Sequence, residues 1–199
     1  MSRLARALAA AAGGLTGRPF ALVGGIAVSA RCEPRFTRDL DLAVAVPDDA
    51  TAEATVRALV ARRFRVSAVV EQEAVGRLAT ARLLAPDEGE GGVVVDLLFA
   101  SSGIEPEIAR AADALEVFAG VVAPVARTGH LLALKVLARD DVHRPQDAVD
   151  LGSLWAVATA EDLELAREGV RLIAERGFHR GRDLPAALEE ALARGRGSS

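Results

Sequence analysis

Five runs in the first half of the chain read as strands, and two of them carry aspartate where burial is costly. The run Thr37-Arg38-Asp39-Leu40-Asp41-Leu42 leads into Ala43-Val44-Ala45-Val46. Residues at i and i+2 of a strand share a face, so Asp39 and Asp41 stand side by side. Two carboxylates on one face repel, and burying them without a cation is expensive. Asp96 poses the same problem between Val93-Val94-Val95 and Leu97-Leu98-Phe99. Alone, Asp96 could cap a turn or pair with an arginine. With Asp39 and Asp41 it makes an oxygen-only donor set. Magnesium suits such a set, since it binds few carboxylates, keeps several waters and takes its other oxygens from substrate phosphates.

Two further features fit a phosphate-handling site. Gly24-Gly25 lies between the strand-like Phe20–Val23 and a short helix ending before Pro34. Glycines there let backbone N–H groups approach a phosphate, although a plain turn explains them too. Lys135 sits among Leu131, Leu132, Leu134, Val136 and Leu137. A lysine in apolar surroundings either snorkels to water or meets an acid. Asp150, in the next helix, is the candidate partner. In the functional reading Lys135 holds a triphosphate as a point charge. Asp150 then orients that lysine or acts on an incoming hydroxyl.

The remaining pattern gives an α+β organisation. Strand-like runs continue at Arg65–Glu71, Leu78–Leu84 and Val93–Phe99, with a turn over Pro86–Gly92. From about residue 105 the pattern reads as helical: Ile104–Ala111, Thr128–Arg139 with Thr128 as N-cap, Pro145–Val157, Glu161–Arg176 and Pro185–Ala193. The expected division is a nucleotide-handling core over 1–103 and a helical region over 104–199 packed on it. The formal net charge of −4 argues against a broadly basic nucleic-acid coat. It leaves room for local arginine clusters at 31–38, 62–65 and 176–182. A single cysteine, Cys32, excludes an internal disulfide and a cysteine-based zinc cluster. Arg3 and Arg6 interrupt the alanine-rich start, so it reads as an amphipathic helix rather than a leader. No segment is long and uncharged enough to span a bilayer, and the expected compartment is the cytoplasm.

Together the glycine pair, the Arg35-Phe36-Thr37-Arg38-Asp39-Leu40-Asp41 run and Asp96 resemble the polymerase-β-type nucleotidyltransferase superfamily. The later segments Leu134-Lys135-Val136-Leu137-Ala138-Arg139 and Arg144-Pro145-Gln146-Asp147-Ala148-Val149-Asp150-Leu151 narrow the resemblance to the AbiEii/AbiGii nucleotidyltransferase toxins, including the MenT-like ones. The motifs span about residues 23–155. The resemblance implies a mixed β-sheet core with flanking helices, followed by a C-terminal helical bundle. It implies one or two Mg²⁺ held by Asp39, Asp41 and Asp96, with a nucleoside triphosphate as substrate. Gly24, Gly25, Arg35, Thr37, Lys135 and Arg139 become substrate-binding residues, with Lys135 and Asp150 joining the aspartates in catalysis and Asp147 in support. Gly25 departs from the Gly-Ser of many superfamily members, which removes one hydroxyl contact to phosphate. The implied reaction moves a nucleoside monophosphate to an acceptor hydroxyl, with the tRNA 3′ end as acceptor and an antitoxin as partner. A small-molecule or protein acceptor, and a non-catalytic NTP-binding module, are the competing readings.

Overall fold

A computed structural model describes residues 1–73, 75–86, 92–139 and 145–196. Its centre is a mixed seven-stranded sheet in the order β3-β4-β5-β2-β1-β7-β6. The strands are β1 (Phe20–Val23), β2 (Leu40–Val44), β3 (Arg65–Gln72), β4 (Arg77–Leu84), β5 (Val94–Leu98), β6 (Asp113–Phe118) and β7 (Val121–Val125). β2 lies at the middle of the sheet, antiparallel to β1 and parallel to β5. Its apolar residues Leu40, Leu42, Ala43 and Val44 are fully buried, which is why the run is so continuously apolar.

Helices cover the sheet: α1 (Arg3–Gly14), α2 (Gly24–Arg31), α3 (Asp49–Val60), α4 (Glu105–Arg110), α5 (Thr128–Ala138), α6 (Pro145–Val157), α7 (Ala160–Glu175) and α8 (Leu184–Arg196). Several begin at side chains that satisfy the orphan N–H groups of a first turn. Ser2 accepts from Ala5 N, and Asp48 accepts from Thr51 N. Thr159 and Asp162 cap one another at the start of α7. Thr128 is instead the first residue of α5. Arg127 takes the cap position without a side-chain bond.

The segment after residue 105 is not wholly helical, as the sequence pattern suggested. β6 and β7 form a hairpin around Gly120 and join the sheet through β1. Both strands are short and half-exposed, so they lack the long apolar run that marks a buried strand. Their signal was the glycine turn between two valine-rich stretches. Among the described residues no helix is long and apolar enough to cross a membrane.

Strand register decides what shares a face. Val23, Asp41, Asp96, Arg82 and Ala68 stand opposite one another across β1, β2, β5, β4 and β3. The next row on the same face is Ala43, Leu98, Thr80 and Val70. One sheet face therefore carries a charged row beside a nearly apolar one. α5 lies over both.

Candidate active site

The tightest packing in the site is between the glycine turn and the aspartate strand. Gly24 has a φ of +62°, a left-handed conformation that disfavours any side chain. A Cβ there would also lie 1.9 Å from Asp41 Oδ2. Two independent constraints thus require glycine at 24. A Cβ on Gly25 would sit 2.8 Å from Thr37 Oγ1 and 2.9 Å from Arg35 Nη2. The space a serine would use at 25 is already occupied, and the Thr37 hydroxyl stands beside it. The Gly-Gly departure therefore goes with a crowded position, where a side chain at 25 would press on Thr37 and Arg35. Val23 precedes α2 and supplies no side-chain cap to its first turn.

Asp39, Asp41 and Asp96 line one cavity of about 560 Å³. Gly24, Gly25, Arg35, Thr37 and Lys135 form other parts of its wall. The expected residues converge here from α2, the segment between α2 and β2, β2, β5 and α5, with two exceptions. Arg139 follows α5 and its carbonyl accepts from Arg182, outside the cavity wall. Asp150 lies behind the wall. Arg144 falls outside the described residues.

Asp96 is held by Arg82 through a two-point ion pair, Nε to Oδ1 at 2.9 Å and Nη2 to Oδ2 at 2.7 Å. This parallel geometry is the strong form of the arginine–carboxylate contact. The Asp96 bonds and charge raise the Arg82 pKa above the ordinary arginine value, and the charges of Asp39 and Asp41 add to it. Arg82 is therefore the cation that offsets the aspartate row. Among the described residues, no three His, Cys, Asp or Glu side chains gather as a preassembled metal cluster. The donor chemistry still fits a hard divalent ion. Asp39 is exposed, Asp41 is half-buried, both face the cavity, and both offer only oxygen. An arginine-bound carboxylate such as Asp96 keeps further lone pairs.

Lys135 belongs to a buried quartet. Its Nζ lies 2.7 Å from Asp147 Oδ1 and 2.6 Å from Asp150 Oδ2. Arg35 Nη2 donates to Asp150 Oδ2 at 2.9 Å. Arg35 Nε lies 2.7 Å from Asp150 Oδ1 as an ion-pair contact without hydrogen-bond alignment. Gln146 Nε2 also donates to Asp150 Oδ1, at 3.2 Å. Burial alone would push the Asp150 carboxyl up. The Lys135 bond and charge, the Gln146 bond and the Arg35 charge outweigh it and hold the carboxyl below its ordinary range. Two cations and two anions balance. The Asp150 side chain is only 1 % exposed, and its contacts are with Lys135, Arg35 and Gln146. Asp147 is the acid of α6 that faces the cavity.

Arg82 was missed in the sequence, and Asp147 was noted only as support. Arg82 had a usable signal: Thr80 and Arg82 are polar residues two apart in the otherwise apolar run Leu78–Leu84. Its partner depended on register with β5, which no local pattern shows.

An acid-bearing strand beside a glycine turn, on a mixed sheet with helical flanks, defines a nucleotidyltransferase. The chain belongs to the AbiEii family, described as the nucleotidyl transferase AbiEii toxin of type IV toxin–antitoxin systems, whose model matches residues 6–196. The chain is similar in fold to an antigenic nucleotidyltransferase-like protein from Paracoccidioides brasiliensis. That match has 17% identity and a TM-score of 0.53, covering 94% of this chain and 91% of the other. A second similar structure is the antibiotic-resistance factor ANT(2'')-Ia, at 17% identity and a TM-score of 0.49, covering 98% of this chain and 92% of the other. A search of curated proteins gave no match.

Proposed function

We propose that this enzyme transfers a nucleoside monophosphate from a nucleoside triphosphate to a hydroxyl at the 3′ end of tRNA, with magnesium bound at Asp39 and Asp41. The observation that carries the reading is the convergence of Asp39, Asp41, Gly24, Gly25 and Thr37 on one cavity wall. Phosphoryl transfer demands positioning and charge compensation more than covalent help from the protein. The residues divide accordingly. The first-turn N–H groups of α2 and the Thr37 hydroxyl cradle phosphate oxygens. Lys135 and Arg35, held rigid by Asp150, line the side on which the leaving pyrophosphate lies. Their charges are already matched by Asp147 and Asp150, so their main contribution is orientation. Bound magnesium supplies charge neutralisation at the transferring phosphate. Arg82 keeps Asp96 fixed beside Asp41, where the carboxylate can accept the proton of an incoming hydroxyl.

Blocking tRNA ends would arrest growth, consistent with a toxin acting in the cytoplasm under the control of an antitoxin encoded nearby. The test is incubation of purified protein with Mg²⁺ and each α-labelled NTP, in the presence of tRNA, cellular protein or aminoglycosides. Label should enter tRNA, and Asp39→Ala should abolish it while melting like the wild type, because Asp39 is exposed. Label in protein or aminoglycoside alone, or retained transfer by Asp39→Ala, would reject the reading.

A further inference from the structure

The sheet ends at two edge strands, β3 and β6. An edge offers a row of N–H and C=O groups to any strand that can reach it, and charge or bulges are the usual protection. The two edges are protected differently. β6 carries Asp113 and Glu116 and no base, so a second β6 laid against it would set acid against acid. Asp113 is also held by Arg31 at 2.7 Å. β3 is longer, at eight residues, and all of it except Gln72 is exposed. Val66, Val69 and Val70 are 46 %, 57 % and 54 % exposed. Single exposed valines are ordinary, but three on one edge strand make a contiguous apolar strip.

The charges of this edge sit at its two ends and differ in sign. Arg63 and Arg65 are exposed at the start, and Glu71 and Glu73 are exposed at the finish. A parallel copy would put arginine on arginine. An antiparallel copy puts the basic end of each strand against the acidic end of the other, twice over. The bulges set the register. β3 and β4 shift between Val66 and Ala68 and again between Val70 and Glu71, so Ala68, Val69 and Val70 form the regular stretch. A two-fold axis through Val69 pairs that valine with itself and Ala68 with Val70. Only small apolar side chains then meet at the axis, with the opposite charges outside them.

We infer that β3 is the docking edge for a second copy of this chain, paired antiparallel about Val69 so that the two sheets become one. An isologous contact of this kind closes on itself and leaves β6 outside. Residues opposite one another across a strand pair share a face, and Ala68 shares its face with Asp41 and Asp96. Both candidate sites therefore open on the same side of the joined sheet. One strand with flanking charges is a smaller interface than a permanent dimer uses, so the pairing is transient and weakened by salt.

A cysteine at the axis traps such a pair. Directly opposite Cα atoms lie about 4.5–5.5 Å apart, within disulfide reach. In a Cys32→Ser background, Val69→Cys oxidised with copper–phenanthroline should form a disulfide-linked dimer about tenfold faster than Val122→Cys, whose valine is 65 % exposed on β7. Glu71→Arg with Glu73→Arg should remove that advantage, and adding Arg63→Glu with Arg65→Glu should restore it. About 1 M NaCl should also shrink it. Equal rates at Val69 and Val122 would overturn the inference. An advantage that survives the charge reversal would overturn it too, because the strands would not be aligned by their ends. A Val69→Cys thiol that resists a soluble maleimide would give the edge to another part of this chain and refute the pairing.

Discussion

Replacing Lys135 with alanine should unfold the protein more readily as well as slow it. The lysine side chain is 12 % exposed and lies between Asp147 at 4 % and Asp150 at 1 %. Removing one partner of a buried ion pair costs about 3–5 kcal/mol, because the remaining charge is left in a poor solvent. Here Arg35 still lies 2.7 Å from Asp150. The loss should fall near the lower end, about 3 kcal/mol. In a domain of this size each kcal/mol lowers the midpoint by about 2–4 °C, so the melt should drop by about 6–12 °C. Circular dichroism melts at pH 7 would measure it, with urea titration as a check on two-state behaviour. Adding Asp147→Asn to Lys135→Ala should recover part of the loss, since one uncompensated carboxylate is removed with its counterion. A Lys135→Ala protein melting within about 2 °C of wild type would refute the buried-quartet argument and return Lys135 to a snorkelling role. The same cluster predicts a pH effect. Asp150 binds its proton less readily folded than unfolded. Its contribution is therefore complete above the unfolded value of about 4 and is lost as pH falls below it.

His130 is a second acid-sensitive point of different sign in charge. It is buried in α5, its Nδ1 has no hydrogen-bond partner among the described residues, and burial first, then the charge of Arg127, lowers its pKa to about 4. The unfolded chain takes up a proton near pH 6.5 that the folded protein refuses. Stability should fall by about 3 kcal/mol between pH 6.5 and 4, and His130→Leu should flatten that part of a stability–pH curve. An unchanged slope would place the acid sensitivity elsewhere. Gly25→Ser should reduce triphosphate affinity about tenfold, because the new side chain displaces Thr37 and Arg35. Calorimetric titration with NTP would show this, and wild-type affinity would mean that both side chains move aside freely.

The candidate site was legible where chemistry and local pattern coincide. Asp39, Asp41 and Asp96 betrayed themselves as acids in apolar strands, and Lys135 as a cation in an apolar helix. Their neighbours did not. Arg82 meets Asp96 only because β4 and β5 pair in one register. Asp147 and Asp150 were both visible, but their division of labour turns on which side of α6 faces the cavity. The crowding of Gly25 by Thr37 and Arg35 depends on the fold and leaves no local pattern. The β6–β7 hairpin escaped because a half-exposed strand at a sheet margin has no strong periodicity. Burial makes strong sequence patterns, and pairing between distant segments makes almost none.

The contact between Arg35 and Asp150 joins residues 115 apart in the chain. All three aspartates, the glycine turn and Thr37 are translated long before Asp150. A nascent or truncated chain ending before α6 would hold those groups without the partner that orders Arg35 and Lys135. Fragments that stop short of α6 would carry the acids but not the finished cavity wall, so the site depends on a contact made late in synthesis.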